Sequence, residues 1–129
     1  MSGIKFRAFS LKDNIYGKPF VLTRDFICND MNDIRFPQDD VIFEQFIGLK
    51  DKNDTEIYES DICSFSSKKG EYMGVVEWSD SLAGFGLRMI DNNFLYTFSE
   101  LNTMGIDLDT LEVVGNVHQN RELLGERAL

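Results

Sequence analysis

The chain has 129 residues, enough for one domain that buries roughly two-thirds of its unfolded surface without disulfides or metal. Its hydrophobic content of 43% excludes a disordered chain, and eleven Phe tilt the composition towards strands and packed sheet faces. The net charge of −9, from 22 acidic and 13 basic residues, argues against a sequence-independent nucleic-acid binder, which displaces counterions with basic side chains.

From the start of the chain, Ile4-Lys5-Phe6-Arg7-Ala8 alternates apolar and basic residues, which places Ile4, Phe6 and Ala8 on one face of a strand. This end is basic, with Lys5, Arg7, Lys12 and Lys18 against Asp13. The segment around Asp13-Asn14, with Gly17 and Pro19, reads as a turn, and Phe20-Val21-Leu22 as a second strand. Asn29 to Asp40 is polar, contains Pro37 and has no period, so it is expected to be a loop. Acidic residues are dense from Asp25 to Asp40 and around Glu56, Glu59 and Asp61.

Val41 to Ile47 is strongly β, with Gly48 as its expected end. The charged turn Lys50 to Asp54 then leads to Ile57-Tyr58, giving a hairpin. From Asp61 the spacing becomes regular. Ile62 to Phe65 is a short strand, and Ser66 to Gly70 is a turn. Tyr72 to Trp78 is the next strand, and Gly74 inside it predicts a bulge or a close backbone approach. Ser79 to Gly84 turns the chain into a strand carrying Phe85, Leu87 and Met89. Asp91-Asn92-Asn93 tolerates positive φ and predicts a tight hairpin into Phe94, Tyr96 and Phe98. Ser99 to Asn102 is long enough for one helical turn, too short for a packed helix. Leu111 to Val117 is the last strand, and Asn120 is placed to cap a short helix over Arg121 to Gly125, with Leu123-Leu124 partly docked.

The expected fold is mainly β: an SH3-like small barrel over about residues 61–117, an N-terminal β-hairpin extension and a short C-terminal helix. A strongly bent meander of this strand order hides the aromatic face that open strands would leave wet. The chain reads as one unit over 1–129, with an N-terminal β segment and loop over 1–60 and the barrel with its terminal helix over 61–129.

Chemistry-bearing residues are sparse. Cys28 and Cys63 make no disulfide framework, and one His with two distant Cys is not a zinc set. Pairing Cys63 with His118 as nucleophile and base has no surrounding motif, and a Cys is commonly a small buried hydrophobe. Gly84-Phe85-Gly86 lacks the third Gly and the helix start of a phosphate loop. No catalytic, metal or cofactor site is expected, nor a small-molecule substrate. The surface candidates are Tyr58, Glu59, Asp61 and Trp78. Glu59 and Asp61 fall on one side of a strand-like segment, where a solvated turn face is the plainer explanation. Trp78, with Tyr72, Phe85 and Tyr96, has the makings of a stacking platform, although a barrel this small needs most of them as core. Trp78, at a strand end with an N–H to satisfy, is the one expected to be partly exposed.

Several segments together resemble the YopX family of bacteriophages and prophages: Ile4-Lys5-Phe6-Arg7-Ala8, Phe46-Ile47-Gly48-Leu49-Lys50-Asp51-Lys52-Asn53, Glu56-Ile57-Tyr58-Glu59-Ser60-Asp61-Ile62, Gly74-Val75-Val76-Glu77-Trp78 and Leu111-Glu112-Val113-Val114-Gly115-Asn116-Val117. The resemblance implies a mainly β protein with an SH3-like barrel, and no activity. Ser60 stands where the family usually has Gly, and Asp54 where Gly often follows Asn53; Gly takes φ values that Ser and Asp adopt less readily.

The leading expectation is a non-enzymatic phage or prophage accessory protein acting through a protein partner or by homo-oligomerisation. Acidic mimicry directed at a host nucleic-acid-binding protein is a second reading, resting on the net charge. A third is nucleic-acid binding through the barrel, with Lys5, Arg7, Lys68, Lys69 and Arg88 on phosphate. The start lacks an apolar signal-peptide core and no run approaches ~18 apolar residues. The expected location is therefore the cytoplasm of a bacterial cell, away from membranes.

Overall fold

Alternating apolar and polar residues become antiparallel sheet along most of the chain. The computed structural model describes residues 4–22 and 40–128, so the predicted loop Asn29 to Asp40 lies outside the described residues except for Asp40. The strands are β1 (Ile4–Ser10), β2 (Ile15–Tyr16), β3 (Phe20–Leu22), β4 (Val41–Lys50), β5 (Glu56–Tyr58), β6 (Asp61–Ser67), β7 (Gly70–Ser79), β8 (Gly84–Met89), β9 (Leu95–Thr97) and β10 (Glu112–Asn116). A helix α1 (Phe98–Thr103) and 3-10 turns at Leu108–Thr110 and Arg121–Ala128 complete the described elements. The strands form two antiparallel sheets. Two compact units divide within β4, Met1–Phe46 and Ile47–Leu129. The sequence suggests a division nearer residue 60, but Ile57 belongs to the apolar core of the second unit.

In the first unit β1 pairs with β2, β3 and β4. The turn Leu11–Asn14 closes the β1–β2 hairpin, with Asn14 at φ 58°. β2 has only two residues and falls inside the stretch the sequence reads as turn. Ile4, Phe6 and Ala8 do share a face, where Phe6 stacks on Phe20 at 6.1 Å and Phe20 meets Phe43 edge-on at 6.2 Å. The buried aromatic is Phe9, on the alternate face, 1% exposed and 4.8 Å from the ring of Tyr16. Arg7 lies on that same side because it faces Glu44 across the ladder and binds it at 2.9 Å.

In the second unit, five strands in the order β10-β6-β7-β8-β9 curl into a half-barrel. Its core contains Ile57, Cys63, Phe65, Val76, Leu87, Met89, and residues of the α1 segment. Strand boundaries exceed the sequence expectation by one to a few residues at most ends, because pairing continues into polar positions: β6 and β7 stay in register from Ile62↔Val75 to Ser67↔Gly70. β4 likewise runs on through Gly48 to Lys50. Gly74 makes no bulge; a Cβ there would lie 3.0 Å from the Leu87 Cβ, so the glycine serves a close approach. The bulge lies instead between Val113 and Gly115 in β10.

Two helical expectations need correction. Phe98 belongs to α1, not to a strand, and α1 does pack, through Phe98 and Leu101. The cause is a capping box: Thr97 Oγ1 accepts from Glu100 N at 3.1 Å, and the Glu100 carboxylate accepts from Thr97 N at 3.0 Å. At the C-terminal end the helix is 3-10, kinked at Gly125, and the Asn120 side chain accepts from Asn116 N at 3.1 Å. Leu123 and Leu124 are half-buried.

Candidate functional site

The face of the half-barrel that turns inward carries alternate residues of each strand. Phe65 of β6 pairs with Tyr72 of β7, Leu87 of β8 with Tyr96 of β9, and Met89 of β8 with Gly74. At one end of this face the strands, the β6–β7 turn, the β8–β9 turn and the segment from α1 to Ile106 surround a groove of about 440 Å³. Its apolar lining includes Phe65, Tyr72, Met89, Tyr96, Leu101 and Met104. The Phe65 and Tyr72 rings stack at 5.7 Å. Met104, just past α1, is 58% exposed. Lys68 and Lys69 come to the groove from the β6–β7 turn, and Asp91 from the β8–β9 hairpin. The hairpin is the one the sequence predicts, with Asn93 at φ 63° and Asn92 Oδ1 accepting from Phe94 N at 2.9 Å.

The sequence-derived surface candidates are scattered by the fold. Tyr58 and Asp61 are not at the surface: they are 4% and 2% exposed. Asp61 is drawn inward because its carboxylate accepts from Tyr58 N at 2.8 Å, closing the Glu59-Ser60 turn. Glu59 is half-exposed on that turn. Ser60 takes φ 71°, while its N–H donates to Val76 O at 2.9 Å and its carbonyl accepts from Val117 N at 3.0 Å. Trp78 is 46% exposed and meets Phe85 edge-on at 4.9 Å. Six residues of extended strand, about 20 Å, separate it from Tyr72. The aromatic platform therefore divides: Tyr72 and Tyr96 line the groove, and Trp78 and Phe85 form a separate pair.

A second buried carboxylate, Asp51, lies in the β4–β5 turn. Oδ1 accepts from Asn53 N and Thr55 N at 2.9 Å each, and Oδ2 from Val113 N at 2.8 Å. Lys52 N donates to Leu111 O at 2.9 Å. The turn thus covers the outer edge of β10, which would otherwise offer unpaired backbone groups to another strand. Burial pushes the Asp51 carboxyl up, but the Val113, Thr55 and Asn53 amides outweigh it and hold the group below the ordinary carboxylate value.

Cys63 is fully buried in the core. Burial, then the Asp61 and Asp51 charges, push its thiol far above the ordinary value, so it remains protonated. His118 sits half-buried in the turn after β10. Among the described residues there is no group of three potential metal-ligating side chains, and no helix long and apolar enough to cross a membrane. Of the cations suggested for phosphate, Arg7 is bound to Glu44 and lies over the Tyr16 ring, and Lys5 lies over Phe46. Arg88 is bound to Glu77 at 2.9 and 3.0 Å. Lys68 and Lys69 make no ion pair among the described residues.

Sequence reading missed the groove and the role of Asp51. The groove had no linear signal, since its lining runs from Phe65 to Ile106 over separate elements. Thr97-Phe98-Ser99-Glu100, however, is a capping-box pattern legible in the sequence.

The architecture defines a mainly β protein of two antiparallel sheets, one of them a curled half-barrel. The chain belongs to the YopX protein family, which matches residues 5–125. Its fold is similar to that of protein EF1440 from Enterococcus faecalis, known from a crystal structure, at 20% identity and a TM-score of 0.60, over 96% of this chain and 99% of that one. No curated protein matches the chain.

Proposed function

We propose that this protein is a non-enzymatic accessory protein of phage or prophage origin that acts in the bacterial cytoplasm by binding another protein. Its binding scaffold is an SH3-like barrel over residues 61–117. The strand order, with β10 beside β6 and a 3-10 turn just before β10, supports the barrel assignment. The observation that carries the function is the groove: a concave apolar surface, rich in aromatic and Met side chains, whose charged groups are confined to Lys68, Lys69 and Asp91. Such a lining suits an apolar anchor from a partner. The commitment of Arg7 and Arg88 to carboxylates favours a protein partner over nucleic acid.

The test is to recover the tagged protein from prophage-bearing cells and identify what co-purifies, with light scattering on the same eluate. A stoichiometric, identified protein partner is the expected result. A monomer that brings nothing down would overturn the reading.

Self-association is a second reading, favoured by the first unit. There Ile4 and Phe43 are exposed on the same face as Phe6 and Phe20, Phe43 by 49%. If this face joins two copies, light scattering gives a dimer mass or more, and Phe43→Ser reduces it to the monomer. A monomer at the highest attainable concentration removes this reading.

A further inference from the structure

The groove of the half-barrel also indicates what kind of protein segment enters it. Its floor is apolar, and its rim is net positive, Lys68 and Lys69 against Asp91, in a chain whose overall charge is −9. The two lysines are adjacent in the β6–β7 turn, exposed, and without an ion pair among the described residues. The two lysines attract carboxylates over roughly a Debye length, ~8 Å, whereas the overall negative charge opposes their approach from further away.

The volume, about 440 Å³, falls within the range of clefts that take small ligands, ~300–1,000 Å³. Two features favour a peptide side chain over a small molecule. The lysines are exposed, flexible point charges that attract without fixing geometry. Met89 and the exposed Met104 offer a polarisable surface that repacks around apolar side chains of different shape.

We propose that the groove binds an acidic peptide segment of a partner protein, with a bulky apolar side chain seated over Phe65, Tyr72 and Met104 and flanking carboxylates on Lys68 and Lys69. This rests on the protein-binding reading above and adds the chemistry of the partner.

The experiment titrates the full chain into a fluorescein-labelled Glu-Asp-Glu-Phe-Leu-Glu-Asp peptide and follows anisotropy. The expected result is saturable binding that weakens with salt. The exposed-site variants Lys68→Glu/Lys69→Glu and Met104→Asp each weaken it about tenfold. A peptide with Ser in place of Phe and Leu does not bind. Thermal unfolding by circular dichroism checks that both variants keep the wild-type fold. Absence of saturation at millimolar protein overturns the proposal. Equal binding of the Ser peptide, or affinity unchanged in both variants, also overturns it. A partner from cells that still co-purifies with a variant carrying Lys68→Glu, Lys69→Glu and Met104→Asp together sinks the groove and leaves the protein-binding reading standing. Conversely, if no partner is recovered from cells, that reading falls while the titration still decides the groove.

Discussion

The two units stabilise buried carboxylates in different ways. In the first unit Glu44, 1% exposed, is held by side chains: Arg7 Nε donates to it at 2.9 Å and Tyr16 Oη at 2.8 Å. In the second, Asp51 and Asp61 are held by backbone amides of turns and neighbouring strands. The apolar surroundings differ too. Among the described residues Phe9 is the buried apolar side chain of the first unit, whereas the second has a contiguous apolar cluster. A charge pair with little apolar core around it acts as a core element, so removing one partner is costly. A carboxylate that closes turns around an existing core acts as a clasp, and its loss is felt locally first.

The largest effect should therefore come from the first unit. Arg7→Ala leaves Glu44 buried without its cation and is expected to cost about 4 kcal/mol in urea unfolding. The double change Arg7→Met with Glu44→Leu should recover most of that loss; if it is no better than Arg7→Ala, the pair is not a core element of this unit.

The clasp is expected to be weaker. Asp51→Asn keeps the shape but turns a donor towards an amide and loses the charge, for about 2 kcal/mol at pH 7. Because the folded-state Asp51 carboxyl is held below its ordinary value, the stability it contributes is present above the unfolded carboxyl value, about 3.9. That contribution is lost as pH falls through the lower folded-state value. The gap between wild type and Asp51→Asn should thus narrow below about pH 4. A gap constant with pH would remove the charge from the explanation. Hydrogen exchange should show the Val113 and Thr55 amides losing protection in the variant before those of β7.

The smallest effect concerns two positive-φ positions, one in the Asp51 turn and one in the turn closed by Asp61. Asp54 and Ser60 hold φ 64° and 71°, a region that costs an L-residue roughly 1 kcal/mol relative to Gly. Ser60→Gly and Asp54→Gly should each change stability by about +0.5 kcal/mol once the unfolded-state entropy of Gly is offset. Ser60→Gly should gain more, since Asp tolerates this conformation better. Destabilisation by Ser60→Gly would mean that the hydroxyl contributes more than the backbone strain takes away.

Much of the architecture was legible because it is local. Period-two alternation marked β1 and β6 to β8, and Asp91-Asn92-Asn93 marked its hairpin, since a turn needs only its own residues to reverse the chain. The family segments also located Asp51, Ser60 and Asp61, which turn out to close backbone turns rather than to present a surface.

The sequence alone determined the class of fold and the family, whereas the positive φ of Asp54 and Ser60 came from the structure. Alternation, turn chemistry and segment order are properties of neighbouring residues. Tertiary structure decided which face each strand buries, because Arg7 is sheltered only once Glu44 lies opposite. It also decided what Asp51 holds, since Val113 is 62 residues away. The groove, too, exists only because curling the sheet brings Phe65, Tyr96 and Met104 around one volume. Such contacts join positions far apart in sequence, and no local pattern encodes them.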